Sequence, residues 1–344
     1  MKHLLNTLFL TRDDLQLVKD GQSLLVKQGN EVLLRKPVHM LGGVISLGRS
    51  YITPQAMAFC AENDVALSLL SPNGRFLAQV RGPVSGNVLL RRAQFRLADD
   101  DKAANNIAQA VVAAKLVNCR GLLRRAARDQ TLEADAEALA LAADRLAQVL
   151  RRLEGAQSLE ETRGLEGEGA AAYFGVFGRL ISAQGDGFAF NGRNRRPPRD
   201  AVNALLSFAY TLLAHDISGA CQAVGLDPQV GFLHRDRPGR PSLALDLMEE
   251  MRPMMVDRLV LNLINLRQVR AKGFAIEPAG GVRMDDDTRK GLLVAYQERK
   301  QKEIHHPVLD EKIPLGLLPH VQAMLLARHI RGDLPGYPAH FHKF

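Results

Sequence analysis

Between Thr7 and about Val80, short apolar segments alternate with turn-forming residues: TLFL, LQLV, SLLV, EVLL, GGVISL, VALSLL and RFLAQV. Runs of this length, bounded by polar punctuation, predict strands. Asp20-Gly21, Gly29-Asn30 and Asn73-Gly74 are residue types that tolerate positive φ and close hairpins between twisted strands. The pattern therefore predicts an antiparallel sheet or sandwich. One helix interrupts it, because Thr53 can accept a bond from an early helical amide, Pro54 suits the first turn, and QAMAFCAEN carries the segment to Asn63. That helix is expected to cover the sheet.

The stretch Arg81-Gly82-Pro83-Val84-Ser85-Gly86 loses the alternation, and from Asn87 onward the apolar period is that of helices in a chain rich in Ala, Leu, Arg and Glu. Helices are predicted near 87–98, 103–128, 131–153, 159–181, 200–215, 242–269, 286–302 and 315–331. No fixed-period repeat is present, which disfavours a helical solenoid. The expected fold class is α+β: a small antiparallel β-rich N-terminal domain over 1–82, a linker at 83–86, and a larger all-α domain over 87–344 that carries the candidate catalytic residues.

Length agrees with two domains, since 344 residues exceed the ~100–200 typical of one. With 46% hydrophobic and 24% charged residues, the composition is that of a folded chain and not of a disordered tail. Met1 to Leu10 lacks the pattern of a secretory leader, and no apolar run reaches membrane-spanning length, so a soluble, cytoplasmic protein with no membrane partner is expected. Cys60, Cys119 and Cys221 are odd in number and scattered, which argues against a disulfide framework or a zinc-thiolate site. The formal charge of +8 favours a polyanionic partner.

Three segments hold the candidate chemistry. In the first, Ser158-Leu159-Glu160-Glu161 has the Ser-x-x-Glu form of a helix start, and the helix places Arg163, Glu166, Ala170 and Tyr173 along one face. Gly164, Gly167, Gly169 and Ala170 to Ala172 make a small-residue surface around Glu166. Each interior Gly costs ~1 kcal/mol of helix stability, so close approach is expected there, either by another helix or by a nucleic-acid backbone and a metal ion. In the second, Arg193, Arg195, Arg196 and Arg199 crowd a loop ahead of a helix that Asp200 can cap, a phosphate-binding candidate because the guanidinium fork suits phosphate oxygens. Tyr210 on that helix either faces the site or satisfies a core hydrogen bond.

The third segment runs from His234 through Arg235, Arg237 and Arg240 to a helix that Ser242 can cap and that carries Asp246, Glu249 and Glu250 in its first turns. Acids early in a helix are stabilised by its dipole whatever else they do. Together with Glu166, however, His234 and one acid of this helix form an open donor set suited to Mg²⁺ or Mn²⁺. Two further groups invite attention without supporting a site. His305-His306 with Asp310 is disfavoured as a metal site because adjacent histidines point apart, and Asp285 to Asp287 most simply cap a helix. The C-terminal LPGYPAHFHKF, rich in Pro and Gly, is not expected to be well ordered.

In sequence order, the Arg-Gly-x-Glu-Gly helix followed by Ala-Ala-x-Tyr-Phe at 163–174, the R-R-P-P-x-D-x-x-N-A-L-L-S-F-x-Y stretch at 195–210, and the Gly-x-x-His segment leading to Leu-Asp-Leu-x-Glu-Glu-x-Arg-Pro at 231–253 resemble the universal CRISPR-associated integrase of spacer acquisition, from a type I system. The resemblance spans almost the whole chain. It implies a β-rich N-terminal domain that dimerises, a helical catalytic domain, and metal ligation by Glu166, His234 and Glu249. The family often has Asp where this chain has Glu249, so Asp246 one turn earlier could share or replace its role. It further implies a homodimer, a small second CRISPR adaptation protein as partner, and double-stranded DNA fragments and the repeat array as substrates. The expected reaction is in-line attack of a DNA 3′-hydroxyl on a phosphodiester, or hydrolysis when water attacks instead. A metal-dependent nuclease without strand joining and a noncatalytic DNA-binding scaffold are the competing readings.

Overall fold

In the computed structural model of the chain, the described residues are 6–72, 74, 76–80, 82, 88–182, 187–195, 197–278 and 280–344. Residues 83–86, expected as a linker, and Arg196 and Asn73 lie outside them.

The N-terminal strands are β1 (Asn6–Leu10), β2 (Leu15–Asp20), β3 (Ser23–Gln28), β4 (Glu31–Pro37), β5 (Leu41–Leu47) and β6 (Tyr51–Ile52). Helix α1 (Pro54–Glu62) follows, then β7 (Ala66–Leu70) and β8 (Phe76–Val80). They form two four-stranded sheets, in the orders β1-β5-β7-β8 and β4-β3-β2-β6. Gly21 and Gly29, at φ +56° and +59°, close the β2–β3 and β3–β4 hairpins. Thr53 caps α1 through a 3.2 Å bond from the Ala56 amide, as its sequence predicts. Leu10, Leu17, Leu24, Val44 and Leu67 are buried with Phe59 and Cys60 of α1 in one apolar cluster.

Strand pairing is mixed, where an antiparallel arrangement was expected throughout. β2–β3, β3–β4 and β7–β8 are antiparallel, whereas β1–β5, β5–β7 and β2–β6 are parallel. The β5-to-β7 connection passes through β6 and α1, long enough for a crossover, and β1 pairs with β5 across the whole β2–β4 meander. Alternation along a strand is the same for either direction, so the apolar pattern carries no record of it.

The helical part comprises α2 (Val88–Asp99), α3 (Asp101–Asp129), α4 (Glu133–Leu153), α5 (Leu159–Val176), α6 (Ala201–Val224), α7 (Ser242–Arg252) and α8 (Arg258–Asn265). After these come the hairpin β9 (Phe274–Ile276)–β10 (Val282–Met284), α9 (Asp286–Gln301), the hairpin β11 (Glu303–His306)–β12 (Glu311–Pro314) and α10 (Leu318–Ile330). The domain is thus mostly helical, with two short hairpins that the expected all-α pattern does not contain. α3 packs against α4, α5 and α7, while α6 packs against α7 and α10. α6 also meets the N-terminal sheet, where Gly219 packs on Ala66 and Gln222 bonds Gln79.

Two helices differ from their predicted spans. The helix expected over 242–269 is divided by a π-helical turn at Pro253–Asp257, since Pro253 brings no amide hydrogen to the α-helical ladder. α6 continues past 215 to Gly225, whose φ of +89° makes a left-handed C-cap. The polar His215-Asp216 pair that interrupts its apolar run is absorbed by partners: Lys300 and the Tyr296 hydroxyl each reach Asp216 at 2.9 Å.

The C-terminal segment is ordered, contrary to expectation. Asn118 of α3 donates to the His340 carbonyl at 2.9 Å and accepts from the His342 amide at 2.8 Å, and Gln322 of α10 donates to the Pro338 carbonyl. Tyr337 and the His340 amide both donate to the buried Glu250 carboxylate. Extended backbone rich in Pro is here held by side-chain amides and a carboxylate, which supply the bonds that no helix or sheet provides. Among the described residues, no helix is long and apolar enough to cross a membrane.

Candidate active site

α5 begins as its capping pattern predicts: Ser158 accepts from the Glu161 amide at 3.2 Å, and Glu161 accepts from the Gln157 amide at 2.9 Å. The small-residue face splits between the two expectations. A Cβ on Gly169 would clash with Leu116 Cδ2, so this glycine lets α5 approach α3. Gly164 and Gly167 are exposed, and a Cβ on either would meet nothing within 4 Å, so Glu166 is flanked by open surface.

His234 is held by Asp246. The Asp246 carboxylate, 1% exposed, accepts from the backbone amides of Phe232, Leu233 and His234 at 2.6, 3.0 and 2.9 Å, and lies 2.7 Å from His234 Nδ1. Gly231 permits this wrap, since a Cβ there would lie 2.8 Å from Asp246 Oδ2. With Nδ1 turned to Asp246, Nε2 is the ring nitrogen that faces the cleft side and lies 3.8 Å from Glu249 Oε1. Asp246 is therefore engaged in orienting the histidine, and of the two acids one turn apart only Glu249 faces Nε2.

Glu249 comes from α7 and is 2% exposed, while Glu166 is 26% exposed at the cleft. Between them lies Lys115 of α3, paired with Glu166 Oε1 and 2.7 Å from Glu249 Oε2. Arg252 approaches Glu249 Oε1 at 3.1 Å. Burial alone would raise the Glu249 pKa, but the neighbouring Arg252 and Lys115 outweigh it and hold the carboxyl well below its ordinary range. Lys115 is held above its ordinary range for the matching reason: burial acts downward, and the attraction of Glu249 and Glu166 overcomes it.

The donor set suits a hard divalent ion. Glu249 Oε2 is buried without a hydrogen bond of good geometry, Nε2 of His234 faces the same carboxylate, and a cation already stands between the two carboxylates. As the side chains stand, no three His, Cys, Asp or Glu among the described residues are close enough to hold a metal together. Lys115 occupies the room between them.

Around these residues opens a cavity of about 330 Å³ lined by Glu160, Arg163, Glu166, Leu233, His234, Arg235, Arg237 and Arg240. The predicted arginines do not all face it in the same way. Arg163 is turned to the Leu233 carbonyl and to Glu160, so it braces the His234 loop. Arg235 pairs with the exposed Glu160 at 2.8 Å, and Arg237 is exposed at the rim. Arg195 and Arg199 stand exposed on their loop. Arg193 instead points inward, donating to Asn203 Oδ1 at 2.7 Å and Ser207 Oγ at 3.1 Å and lying over the Tyr210 ring. Its guanidinium thus braces the start of α6 within the protein, unlike the outward-facing Arg195 and Arg199.

Tyr173 and Tyr210 lie behind the site. Both donate to Asp257, Tyr173 at 2.9 Å, and Arg252 packs over the Tyr210 ring at 5.0 Å. This is the core hydrogen-bond alternative for Tyr210. Burial raises the Asp257 pKa to about 6 against the lowering effect of the two hydroxyls. His305 and His306 point apart as expected, one to the exposed Asp310 and the other inward to Gln322.

Lys115 and Arg252 were not singled out from sequence. The signal for Lys115 was present: in NIAQAVVAAKLVNC it falls on the face of α3 that buries Ala108, Val111, Val112 and Cys119. A lysine on a buried stripe needs a carboxylate partner.

A family model described as CRISPR associated protein Cas1 matches residues 8–298. The chain is 52% identical over 347 residues to CRISPR-associated endonuclease Cas1 2 of Rhodospirillum rubrum, covering 100% of both chains. Among solved structures, a casposase bound to integration product superposes with a TM-score of 0.85 at 22% identity, covering 98% of this chain and 94% of that one. The Cas6-RT-Cas1–Cas2 complex gives 0.83 at 23% identity, covering 100% of this chain and 36% of that one. With a family model spanning most of its length and a full-length relative at half identity, the chain belongs to the Cas1 family of CRISPR-associated nucleases.

Proposed function

We propose that the protein is a metal-dependent DNA integrase and endonuclease of CRISPR spacer acquisition. It joins the 3′-hydroxyl of a short double-stranded DNA fragment to a phosphodiester of the repeat array. The observation that carries this reading is the convergence of Glu166, His234 and Glu249 from three segments, the first two lining one arginine-rich cleft and Glu249 buried directly behind them. Glu166, Glu249 and His234 Nε2 would hold Mg²⁺ or Mn²⁺, which supplies Lewis acidity at the phosphate when bound. Asp246 keeps the His234 ring in one tautomer and orientation. Arg235, Arg237 and Arg240 offer donors to phosphate oxygens along the rim of the cleft. In the joining step the 3′-oxygen forms a new bond to phosphorus as the bond to the leaving 3′-oxygen breaks, so the number of phosphodiesters is conserved. With water as the attacking group, the same displacement is a nick.

The proposal includes a homodimer, a small second adaptation protein of the kind named in the Cas1–Cas2 neighbour, and a place in the cytoplasm. The likeness to a casposase bound to integration product supports joining over hydrolysis alone as the principal reaction. The test combines the protein and its small partner with labelled short DNA carrying free 3′-hydroxyls, a supercoiled repeat-containing plasmid and Mn²⁺. Label should pass to the plasmid with wild type and fail to do so with Glu166→Ala or His234→Ala, both still binding DNA. Cleavage without transfer would leave a nuclease only, and transfer by either variant would overturn the site.

A further inference from the structure

We propose that Lys115 is a built-in competitor of the metal, its ammonium occupying the place between Glu166 and Glu249 that a divalent ion must enter. The inference rests on the metal-dependent reading of the site. Lys115 is 5% exposed on its side chain, and it pairs at once with Glu166 Oε1 and with Glu249 Oε2. Arg252 supplies the second cation, 3.1 Å from the other Glu249 oxygen. Two carboxylates and two cations thus balance one another, so these side chains are electrostatically complete by themselves and the two acids are kept from repelling each other.

A divalent ion bound by the same oxygens would stand within a few ångströms of the ammonium, and the two cations repel in a poorly solvated place. Withdrawal of Lys115 from at least one carboxylate is therefore part of loading. The residue is suited to it. Lysine is a point charge on a flexible four-carbon stem, whereas the planar fork of arginine would be fixed in a bidentate pair. The direction of withdrawal also follows from burial: Glu249 is closed off at 2% exposure, but Glu166 opens at 26% into the cleft, and the path for the ammonium runs past Glu166. Glu249 keeps Arg252 as its partner during the exchange. The expected consequence is an affinity for metal set by the loss of the lysine pairs, weaker than the donor set alone would give.

Calorimetric titration of Mn²⁺ into the whole protein tests this. Lys115→Met should bind at least tenfold more tightly than wild type and show a larger Mn²⁺-induced rise in Tm, starting from a lower Tm in chelator. Lys115→Arg should bind no more tightly than wild type. Should Lys115→Met fail to fold, Lys115→Gln serves the same comparison. In the wild-type protein, amine acetylation read by mass spectrometry should modify Lys115 faster with Mn²⁺ than with chelator. An unchanged or weaker Kd in the neutral variant, or equal protection of Lys115 in both conditions, overturns the inference while leaving the metal site intact. If Glu166→Ala binds Mn²⁺ as wild type does, the metal reading fails and the inference with it.

Discussion

Asp246 receives three backbone amides and the His234 ring on its two oxygens. An amide in its place cannot accept at both atoms, so Asp246→Asn should release the ring while the buried helix remains. Metal affinity and joining rate should then fall about 10–100-fold, the range found when a partner behind a metal-binding histidine is lost. Joining within about twofold of wild type, with circular dichroism unchanged, would show that the ring is oriented by something else. Gly167 permits a second residue-scale test, since nothing lies within 4 Å of where its Cβ would be. Gly167→Ala should raise stability by up to ~1 kcal/mol in urea unfolding, through helix propensity. DNA affinity should drop if the backbone of the substrate passes over this face, and unchanged affinity would leave the glycine without that role. The nearness of Glu166, His234 and Glu249 was legible because each stands in a motif with its own local punctuation. The partition between Asp246 and Glu249 was not, because both lie on one helix face and only the packing of the 231–234 loop separates them.

At the scale of elements, the π-turn at Pro253–Asp257 brings Asp257 beneath α5 and α6, where Tyr173 and Tyr210 donate to it. Its pKa is raised from 3.8 to about 6 by burial. A raised carboxyl favours the neutral form in the fold, so its contribution is fully present below the unfolded value of 3.8 and is lost as pH rises through about 6. Two units correspond to about 3 kcal/mol. Relative to Asp257→Asn, which stays neutral, wild type should lose stability of that order between about pH 4 and pH 7, measured by urea unfolding at each pH. A constant difference would mean that Asp257 does not titrate in this window. Such a turn is hard to read in sequence, since Pro253 signals a break but not that the helix resumes five residues later. Helix existence, the hairpin turns at Gly21 and Gly29 and the N-caps at Thr53, Ser158, Asp200 and Asp285 follow from local chemistry and are seen where expected, whereas Ser242 lies inside α7 and its hydroxyl donates to the Arg235 carbonyl at 3.1 Å instead of capping the helix. Strand direction depends on pairing across long sequence distances, which no local pattern records.

For the whole molecule, a formal charge of +8 says that a polyanion is attracted but not where it lies. The structure sorts the arginines into two sets. Arg195, Arg199 and Arg237 are exposed, whereas Arg193 is turned into the protein against Asn203, Ser207 and Tyr210. Each phosphate contact made on binding duplex DNA releases condensed counterions and contributes about 0.9 to the steepness of log K against log salt concentration. Replacing Arg195 and Arg199 together by Ala should therefore reduce the slope by about 2, and Arg237→Ala by about 1, with little change in unfolding midpoint. Arg193→Ala should do the reverse. Its slope should match wild type, while stability falls by about 1–3 kcal/mol because the bonds to Asn203 and Ser207 and the packing over the Tyr210 ring are lost together. Salt titrations of DNA binding over about 50–200 mM, an interval in which such contacts change affinity by orders of magnitude, read all three variants on one scale. A loss of slope in Arg193→Ala would place its guanidinium on the DNA and require the inward pairing to open on binding. An unchanged slope in the Arg195/Arg199 double variant would move the path of the phosphates off that loop and onto the arginines lining the cleft.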